Sequence, residues 1–298
     1  LCTLSAINWG MIRSPKDFAK PCELAVHGLD ALLSYQDYLV PAAKTSTELY
    51  RPLGIGIVNF AYWLAKNDFT YTNPSCLPAV DEHMEAMSYY LIKASADLAH
   101  LRGPCDGWRN LKYADGILPV DTRKAEVDEL VPYVERLPWN ELRQQIAATG
   151  IRNATLVALM PAETSAQVSN STNGIEPIRS LITVKQSKHG VLKQVAPEIR
   201  KLKNKYELLW SQANPEGYLK ICAVLQKWID QGISVNTSYN PRFYVEEKIP
   251  MSELIKHILL FYRFGGKQLY YNNTNDQQGE INIDQLPTSE EGCDSCVI

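Results

Sequence analysis

The sequence lacks the long apolar run, of roughly 18 residues, that a membrane-spanning helix requires. It also has no visible signal peptide and no excess of basic side chains, since 30 Lys and Arg against 33 Asp and Glu give a net charge of −3. Nothing in this charge favours a nucleic-acid surface. We therefore expect a cytoplasmic protein that binds neither a membrane nor a nucleic acid.

The sequence also lacks grouped metal ligands and a disulfide framework. Its five histidines are not clustered, so no metal site is predicted. Its seven cysteines are scattered, except for Cys293 and Cys296, which argues against the cross-linked scaffold of a small secreted domain. No internal repeat is visible. The redox chemistry to consider is therefore that of the closely spaced pair Cys293 and Cys296.

Apolar residues make up 45% of the chain, which is ample for a core. Their spacing predicts helices over 23–39, 80–102, 139–149, 198–211, 216–231 and 252–264, and strands near 1–10, 53–57, 155–160, 233–237 and 267–271, with a hairpin over 180–195. Residues 103–138 hold several Gly and Pro and predict an irregular excursion. Because strands alternate with helices, the pattern indicates an α/β architecture.

Residues 155–177 combine a strand, a hydroxyl-rich turn and a helix start. The apolar run at the beginning predicts a buried strand, and Pro161 ends it because proline cannot donate to a continuing ladder. Residues 165–172 then predict two helical turns. Backbone N–H groups at such a helix start favour an anion, which points to a phosphate site. The alternative is an ordinary helix cap made by Thr164 or Ser165.

Residues 272–298 differ in composition, with six acidic side chains and no Lys, Arg or His. Because few large apolar groups are present to offset the ordering entropy, we expect a disordered tail. The tail carries Cys293 and Cys296 in a C-x-x-C pair, which is a redox dithiol, half of a metal site or a coincidence. A zinc site needs further ligands, whereas an exposed dithiol on a tether suits thiol–disulfide exchange.

Several motifs occur in one order along the chain. They are LCTLSAINWG, LDALLSYQDY, RPLGIGIVNFAYWLA, then Trp139, Leu142, Gly150 and Arg152-Asn153 leading into ALMPAETSAQ, followed by NGIEP, LYYNNT and the C-terminal cysteine pair. Together they resemble the large subunit of class I ribonucleotide reductase over almost the whole chain. The Glu-Thr-Ser turn looks like the class Ia type, which acts on ribonucleoside diphosphates.

The resemblance implies a fold, an α/β barrel of ten strands built from two five-stranded halves around a central finger loop. It places this chain in the C-terminal part of the large subunit. Residues 1–271 would form the second half of the barrel domain, and residues 272–298 the flexible acidic tail. Because the chain starts with Leu1 inside a family motif, we expect a fragment or one piece of a split protein.

The resemblance also implies the redox residues. Cys2 matches one of the two active-site cysteines that reduce the ribose and become a disulfide, and its partner would lie upstream. Without the resemblance, Cys2 would be read as a buried filler. Cys293 and Cys296 would carry electrons from thioredoxin or glutaredoxin to that disulfide.

Two further groups follow from the same resemblance. Glu163, Thr164 and Ser165 would bind the substrate diphosphate, largely through backbone N–H groups. Tyr270 and Tyr271 would form a stacked pair that passes a radical from the small subunit to the finger-loop cysteine. The alternative is that these tyrosines have no such role and occur here only because tyrosine favours β-strands. Since adjacent residues of a regular strand face opposite sides, stacking requires a local distortion.

The implied function is the reduction of ribonucleoside diphosphates to 2′-deoxyribonucleoside diphosphates by radical chemistry, for DNA precursor synthesis. The expected partners are the N-terminal part of the large subunit, the small subunit, thioredoxin or glutaredoxin, and the substrate. We expect no cofactor on this chain, because a metal-containing small subunit supplies the radical. Allosteric nucleotide sites would lie mostly upstream. The sequence has no finger-loop Asn-x-Cys-x-Glu motif, so we expect no turnover by this chain alone.

Two alternatives remain. One is a reductase with another radical source, either cobalamin-dependent or glycyl-radical, against which the pair Tyr270-Tyr271 argues. The other is a non-catalytic dithiol carrier or assembly subunit that retains the fold.

Overall fold

The computed structural model describes residues 3–187 and 190–275. In chain order the helices and strands are β1 (Leu4–Asn8), α1 (Ala19–Tyr35), α2 (Pro41–Tyr50), β2 (Gly54–Val58), α3 (Phe60–Lys66), α4 (Leu77–Arg102), α5 (Trp139–Thr149), α6 (Glu163–Val168), β3 (Ile182–Ser187), β4 (Gly190–Val195), α7 (Ile199–Leu202), α8 (Glu216–Gln226), β5 (Val235–Tyr239), α9 (Met251–Arg263) and β6 (Leu269–Thr274). Between α4 and α5 the chain forms short 3-10 turns, in agreement with the irregular structure predicted for residues 103–138.

Five extended segments form one parallel series in sequence order. β1 pairs in parallel with β2. Residues 155–160, which we call the third segment, lie beside β2 through a parallel bridge between Ile55 and Val157, and a second parallel bridge joins Leu159 to Ile233. β5 then pairs in parallel with β6. The series has the five members expected of one half-barrel, and no closed barrel forms within residues 3–187 and 190–275.

Strand β2 has the sequence Gly-Ile-Gly-Ile-Val, and every one of its residues is buried. Continuous burial is typical of a parallel strand that is covered on both faces. A Cβ at Gly56 would lie 2.6 Å from the sulfur of Met160. Glycine at this position therefore lets the third segment approach β2 closely.

The long helix α4 packs against α1, α5 and α8. The five side chains whose spacing predicts its core face are all buried: Met84, Met87, Leu91, Ala94 and Leu98. Gly103, with a φ of 82°, follows the last residue of the helix, at the predicted end. The prediction for α4 is confirmed. Neither α4 nor any other helix in the described part of the chain is long and apolar enough to cross a bilayer.

The helix predicted over residues 23–39 is displaced in the structure, since α1 ends at Tyr35. Pro41, which by its type predicts the end of this helix, occupies the first turn of α2 instead, where its missing N–H costs nothing. Of the leucines whose spacing predicts an apolar stripe on this helix, which are Leu24, Leu29, Leu32 and Leu33, Leu24 and Leu32 are exposed. The buried stripe is Cys22, Val26, Leu29 and Leu33. Smaller apolar residues at helical spacing therefore define the core face better than the leucines alone.

The chain between the hairpin and α8 is less helical than predicted. One helix was expected over residues 198–211, but α7 covers only Ile199–Leu202 and a single 3-10 turn follows at Leu209–Ser211. The hydroxyl of Tyr206 donates to the carbonyl of Pro197 at 2.7 Å. This bond joins the chain before α7 to the chain after it.

Helix α8 ends at Gln226, earlier than the predicted position 231, and Asp230 lies in the chain that follows it. Its carboxylate accepts the N–H groups of Leu156 and Val157 at 2.7 and 2.9 Å. Burial raises the pKa of Asp230 to about 6, against the lowering effect of these N–H groups. The chain that follows α8 is therefore tied to the third segment.

The predicted hairpin is confirmed, with β3 and β4 antiparallel and Ser187 opposite Gly190. Strand β6, predicted over residues 267–271, runs to Thr274. Residues 272–274, which composition assigned to the tail, pair with β5 instead. Asn275 is the last described residue, and the rest of the predicted tail, residues 276–298, lies outside the described residues.

Candidate functional site

The predicted phosphate site lies where the third segment ends and α6 begins. Because α6 spans Glu163–Val168, the helix predicted over residues 165–172 was placed too late in the chain. Ala162 is the N-cap residue and no side chain caps the helix, so a cap made by Thr164 or Ser165 is wrong. Both residues lie in the first turn instead, and both are exposed.

Helix geometry leaves the N–H groups of Thr164 and Ser165, in the first turn of α6, without an intrahelical acceptor. The N–H of Ala166, one residue further on, donates to the carbonyl of Ala162 at 2.7 Å. The helix start thus presents the groups that the anion argument requires at an exposed position. Phosphate binding by this turn remains a prediction.

Asparagine side chains hold this turn in place, and they are not among the predicted site residues. Asn173 Oδ1 accepts the N–H of Ala162 at 2.8 Å. Asn59 Oδ1 accepts the N–H of Thr172 at 3.1 Å, and Asn59 Nδ2 donates to Asn8 Oδ1 at 3.0 Å. Asn8 ends β1 and Asn59 follows β2. Both asparagines therefore lie at the carboxyl ends of parallel strands, where α/β folds place their functional sites. This position in the sequence is the signal that could have identified them as site residues.

Tyr270 and Tyr271 lie side by side on β6, with each side chain 59% exposed. Their ring centroids are 4.2 Å apart, the ring planes are inclined at 53° and the hydroxyl oxygens are 3.5 Å apart. The rings are therefore in contact but tilted, not stacked in parallel as expected. The hydrogen bond with Tyr270 raises the pKa of Tyr271.

The distortion that such a pair requires is present in β6. Val235 pairs with Leu269, but Thr237 pairs with Asn272, so β6 holds one residue more than β5 between these pairs. This is a β-bulge, which breaks the strict alternation of side chains. It explains how two consecutive tyrosines contact one another. Their role in radical transfer remains a prediction.

The predicted redox cysteines, Cys2, Cys293 and Cys296, lie outside the described residues. The cysteines within residues 3–187 and 190–275 are all buried thiols: Cys22, Cys76, Cys105 and Cys222. Burial raises the pKa of each of them, to about 12 in Cys76 and about 11 in Cys105. Because the thiolate is the reactive form, these four are poor candidates for exchange.

The residues before the third segment that carry the family resemblance have structural contacts. Trp139 Nε1 donates to Glu85 Oε1 at 3.0 Å, and its ring stacks on that of Trp228 with centroids 5.8 Å apart. Asn153 is fully buried and donates to Asp30 Oδ1 at 3.2 Å. These contacts anchor the chain that leads to α6, so the motif positions the site without forming it.

Comparison with protein-family models matches residues 1–272 to the barrel domain of ribonucleotide reductase. The chain belongs to this family. The ribonucleoside-diphosphate reductase subunit alpha of Buchnera aphidicola is 48% identical over 100% of this chain and 40% of its own length. The Haemophilus influenzae subunit alpha is 46% identical over 98% of this chain and 38% of its length, and that of Enterobacteria phage T4 is 37% identical over 99% and 39%. The chain thus spans about two-fifths of the length of these relatives.

The family assignment confirms the resemblance that the sequence motifs carry, and the matching region is the C-terminal part of the reductase relatives. It also confirms the predicted fold class, because the parallel series β1, β2, third segment, β5 and β6 lies within the matched barrel domain. The individual site residues remain predictions.

Proposed function

We propose that this chain is the C-terminal part of the large subunit of a class Ia ribonucleoside-diphosphate reductase. With its partners it would convert ribonucleoside diphosphates to 2′-deoxyribonucleoside diphosphates by radical chemistry, for DNA precursor synthesis. The observation that carries this proposal is the match of residues 1–272 to the reductase barrel domain, together with relatives that are named ribonucleoside-diphosphate reductases.

In this proposal the start of α6 holds the substrate diphosphate. Glu163, Thr164 and Ser165 form its first turn, and the positive end of the helix dipole adds a favourable field. The Asn173 side chain already binds the N–H of Ala162, so the turn is formed before the ligand arrives. Recognition by the backbone would make the side chains of Thr164 and Ser165 dispensable.

We expect Thr164→Pro to raise the dissociation constant for a ribonucleoside diphosphate roughly 10- to 150-fold, which corresponds to the 1.5–3 kcal/mol of one hydrogen bond to a charged group. Proline removes the N–H, and the first helical turn has no intrahelical bond to lose there. Thr164→Ala keeps the N–H and should change the affinity by less than about threefold, the effect of a few tenths of a kcal/mol. Calorimetric titration of the assembled large subunit with substrate measures both variants.

The melting temperature of both Thr164 variants must stay near that of the unsubstituted protein for this comparison to hold. Equal weakening by alanine and proline would show that the hydroxyl, not the backbone, binds the ligand. Unchanged affinity in the proline variant would place the diphosphate elsewhere.

Electron and radical transfer would use the remaining predicted residues. Cys2 would supply one electron-donating thiol at the ribose, and Cys293 and Cys296 would restore it by thiol–disulfide exchange with thioredoxin or glutaredoxin. Tyr270 and Tyr271 would pass the radical from the small subunit. The contact of their rings at 4.2 Å supports this role. This chain would hold no cofactor, because the metal belongs to the small subunit.

The proposed function has a direct test in reconstitution. The chain has no Asn-x-Cys-x-Glu motif, so with small subunit, dithiol and substrate alone we expect no deoxynucleotide. Adding the N-terminal part of a large subunit should start product formation, which chromatography of the nucleotides measures. Turnover without that part would contradict the proposed division of the active site, and no turnover with it would contradict the proposed function.

A further inference from the structure

The bulge in β6 is bound by a side chain from the neighbouring strand. Asn236 Oδ1 accepts the backbone N–H of Tyr271 at 3.0 Å. Asn236 lies on β5 between Val235 and Thr237, the two residues whose pairing brackets the bulge. An extra residue in a strand loses its regular ladder partner. The side-chain amide of Asn236 therefore acts as the acceptor at this point in the ladder.

The orientation of this amide is set by a carboxylate. Asn236 Nδ2 donates to Glu176 Oε1 at 2.5 Å. Because an ionised carboxylate only accepts, the NH2 end of the amide must face Glu176 and the oxygen must face Tyr271. Burial raises the pKa of Glu176, while the bond from Asn236 and the nearby charge of Arg179 favour its ionised form. Glu176 belongs to the NGIEP motif, whose function the sequence left open.

We propose that Asn236, oriented by Glu176, is a positioning residue for radical transfer, which holds the β6 bulge so that Tyr270 and Tyr271 keep their rings in contact. This inference rests on the proposed radical relay through these tyrosines. Asn236 acts through the backbone of Tyr271, whose N–H it accepts. Loss of the bond would let β6 return to a regular register, in which consecutive side chains point to opposite faces.

The neighbouring residue offers a matched control. Thr237 Oγ1 donates to Asn272 Oδ1 at 3.2 Å, so it also joins β5 to β6 by a side-chain bond. It lies one residue after Asn236, and its side chain bonds to the Asn272 side chain, whereas that of Asn236 bonds to the backbone of Tyr271. Thr237→Val removes this bond at nearly constant volume. If any weakening of the β5–β6 pair disturbed the tyrosines, this variant would do so as well.

The test uses the reductase assembled from the large and small subunits. Asn236→Leu should lower turnover about 10²-fold, the effect of a misplacement near 1 Å, while Thr237→Val stays near the unsubstituted rate. Asn236→Asp places two carboxylates together and should be equally impaired. Asn236→Asp with Glu176→Gln reverses donor and acceptor and keeps the bond to Tyr271. This double variant should recover turnover to within a few-fold.

A radical measurement separates positioning from general damage. 3-Aminotyrosine at position 271 is easier to oxidise than tyrosine, so it traps the radical, and electron paramagnetic resonance counts it. We expect the trapped signal to fall in the Asn236→Leu and Asn236→Asp backgrounds and to return in the double variant. Substrate affinity should stay constant in all of them.

The outcomes distinguish the two levels of the proposal. No trapped radical at position 271 in the otherwise unsubstituted enzyme would overturn the relay itself. A normal radical yield and normal turnover in Asn236→Leu would overturn only the positioning role. If Asn236→Leu fails to fold, the aspartate variants decide: an impaired double variant would contradict the proposed bond.

Discussion

Replacing Tyr270 or Tyr271 with phenylalanine is expected to reduce turnover of the assembled reductase by orders of magnitude. Phenylalanine keeps the ring and its packing but removes the phenolic O–H, without which the side chain cannot carry a tyrosyl radical. Each side chain is 59% exposed, so the melting temperature should hardly change. Turnover, substrate affinity and thermal unfolding of each variant, measured side by side, check this expectation.

Tyr35 provides the control for this experiment. It is 88% exposed and lies at the end of α1, far from Tyr270 and Tyr271 in the sequence. Tyr35→Phe should leave turnover unchanged. Near-normal turnover in both the Tyr270 and the Tyr271 variants would contradict the proposed relay. It would also revive the alternative of a cobalamin-dependent reductase, which needs no radical from a small subunit.

Long, strongly periodic segments of this protein were predictable from the sequence. In α4 the apolar spacing is continuous and Gly103 ends the helix, so local pattern and tertiary packing agree. The hairpin of β3 and β4 was predictable because its turn sits between two alternating runs. The parallel series itself follows from the alternation of strands and helices, since parallel strands need crossover connections.

The helix starts were harder to predict because competing signals are close together. Thr164 and Ser165 are good capping residues, so the sequence favours a later start of α6 than the structure shows. What fixes the observed start is the side chain of Asn173, which binds the N–H of Ala162. Ala162 precedes α6 in the chain and Asn173 follows it. A contact between them cannot be predicted from the helix propensity of the residues in between.

The tyrosine pair shows a second limit. Sequence alternation places consecutive residues of a strand on opposite faces, and only the pairing partner reveals a bulge. Here the partner strand contributes Asn236, thirty-odd positions earlier in the chain, as the acceptor for Tyr271. The register of β6 is thus a property of the β5–β6 pair. Motif resemblance located the tyrosines, but the structure supplies the reason that they are in contact.

The second large effect concerns the reductant. We expect Cys293→Ser or Cys296→Ser to abolish turnover driven by thioredoxin while leaving turnover driven by a small dithiol such as dithiothreitol. Thiol–disulfide exchange requires access to the disulfide sulfur. In the proposed function a small dithiol would reach the active-site disulfide directly, whereas thioredoxin, a folded protein, would need the tail dithiol as carrier. Turnover with each reductant, measured under the same conditions, gives the ratio that tests this.

Cys2→Ser and Ser295→Ala complete the comparison. Cys2 would be oxidised in each cycle, so Cys2→Ser should fail with either reductant after at most one turnover, whereas Ser295→Ala, between the tail cysteines, should be normal with both. The four buried cysteines of the described residues, with their raised pKa values, offer no substitute thiolate. Equal loss with both reductants in the tail variants would mean that Cys293 and Cys296 serve the structure of the large subunit and do not shuttle electrons.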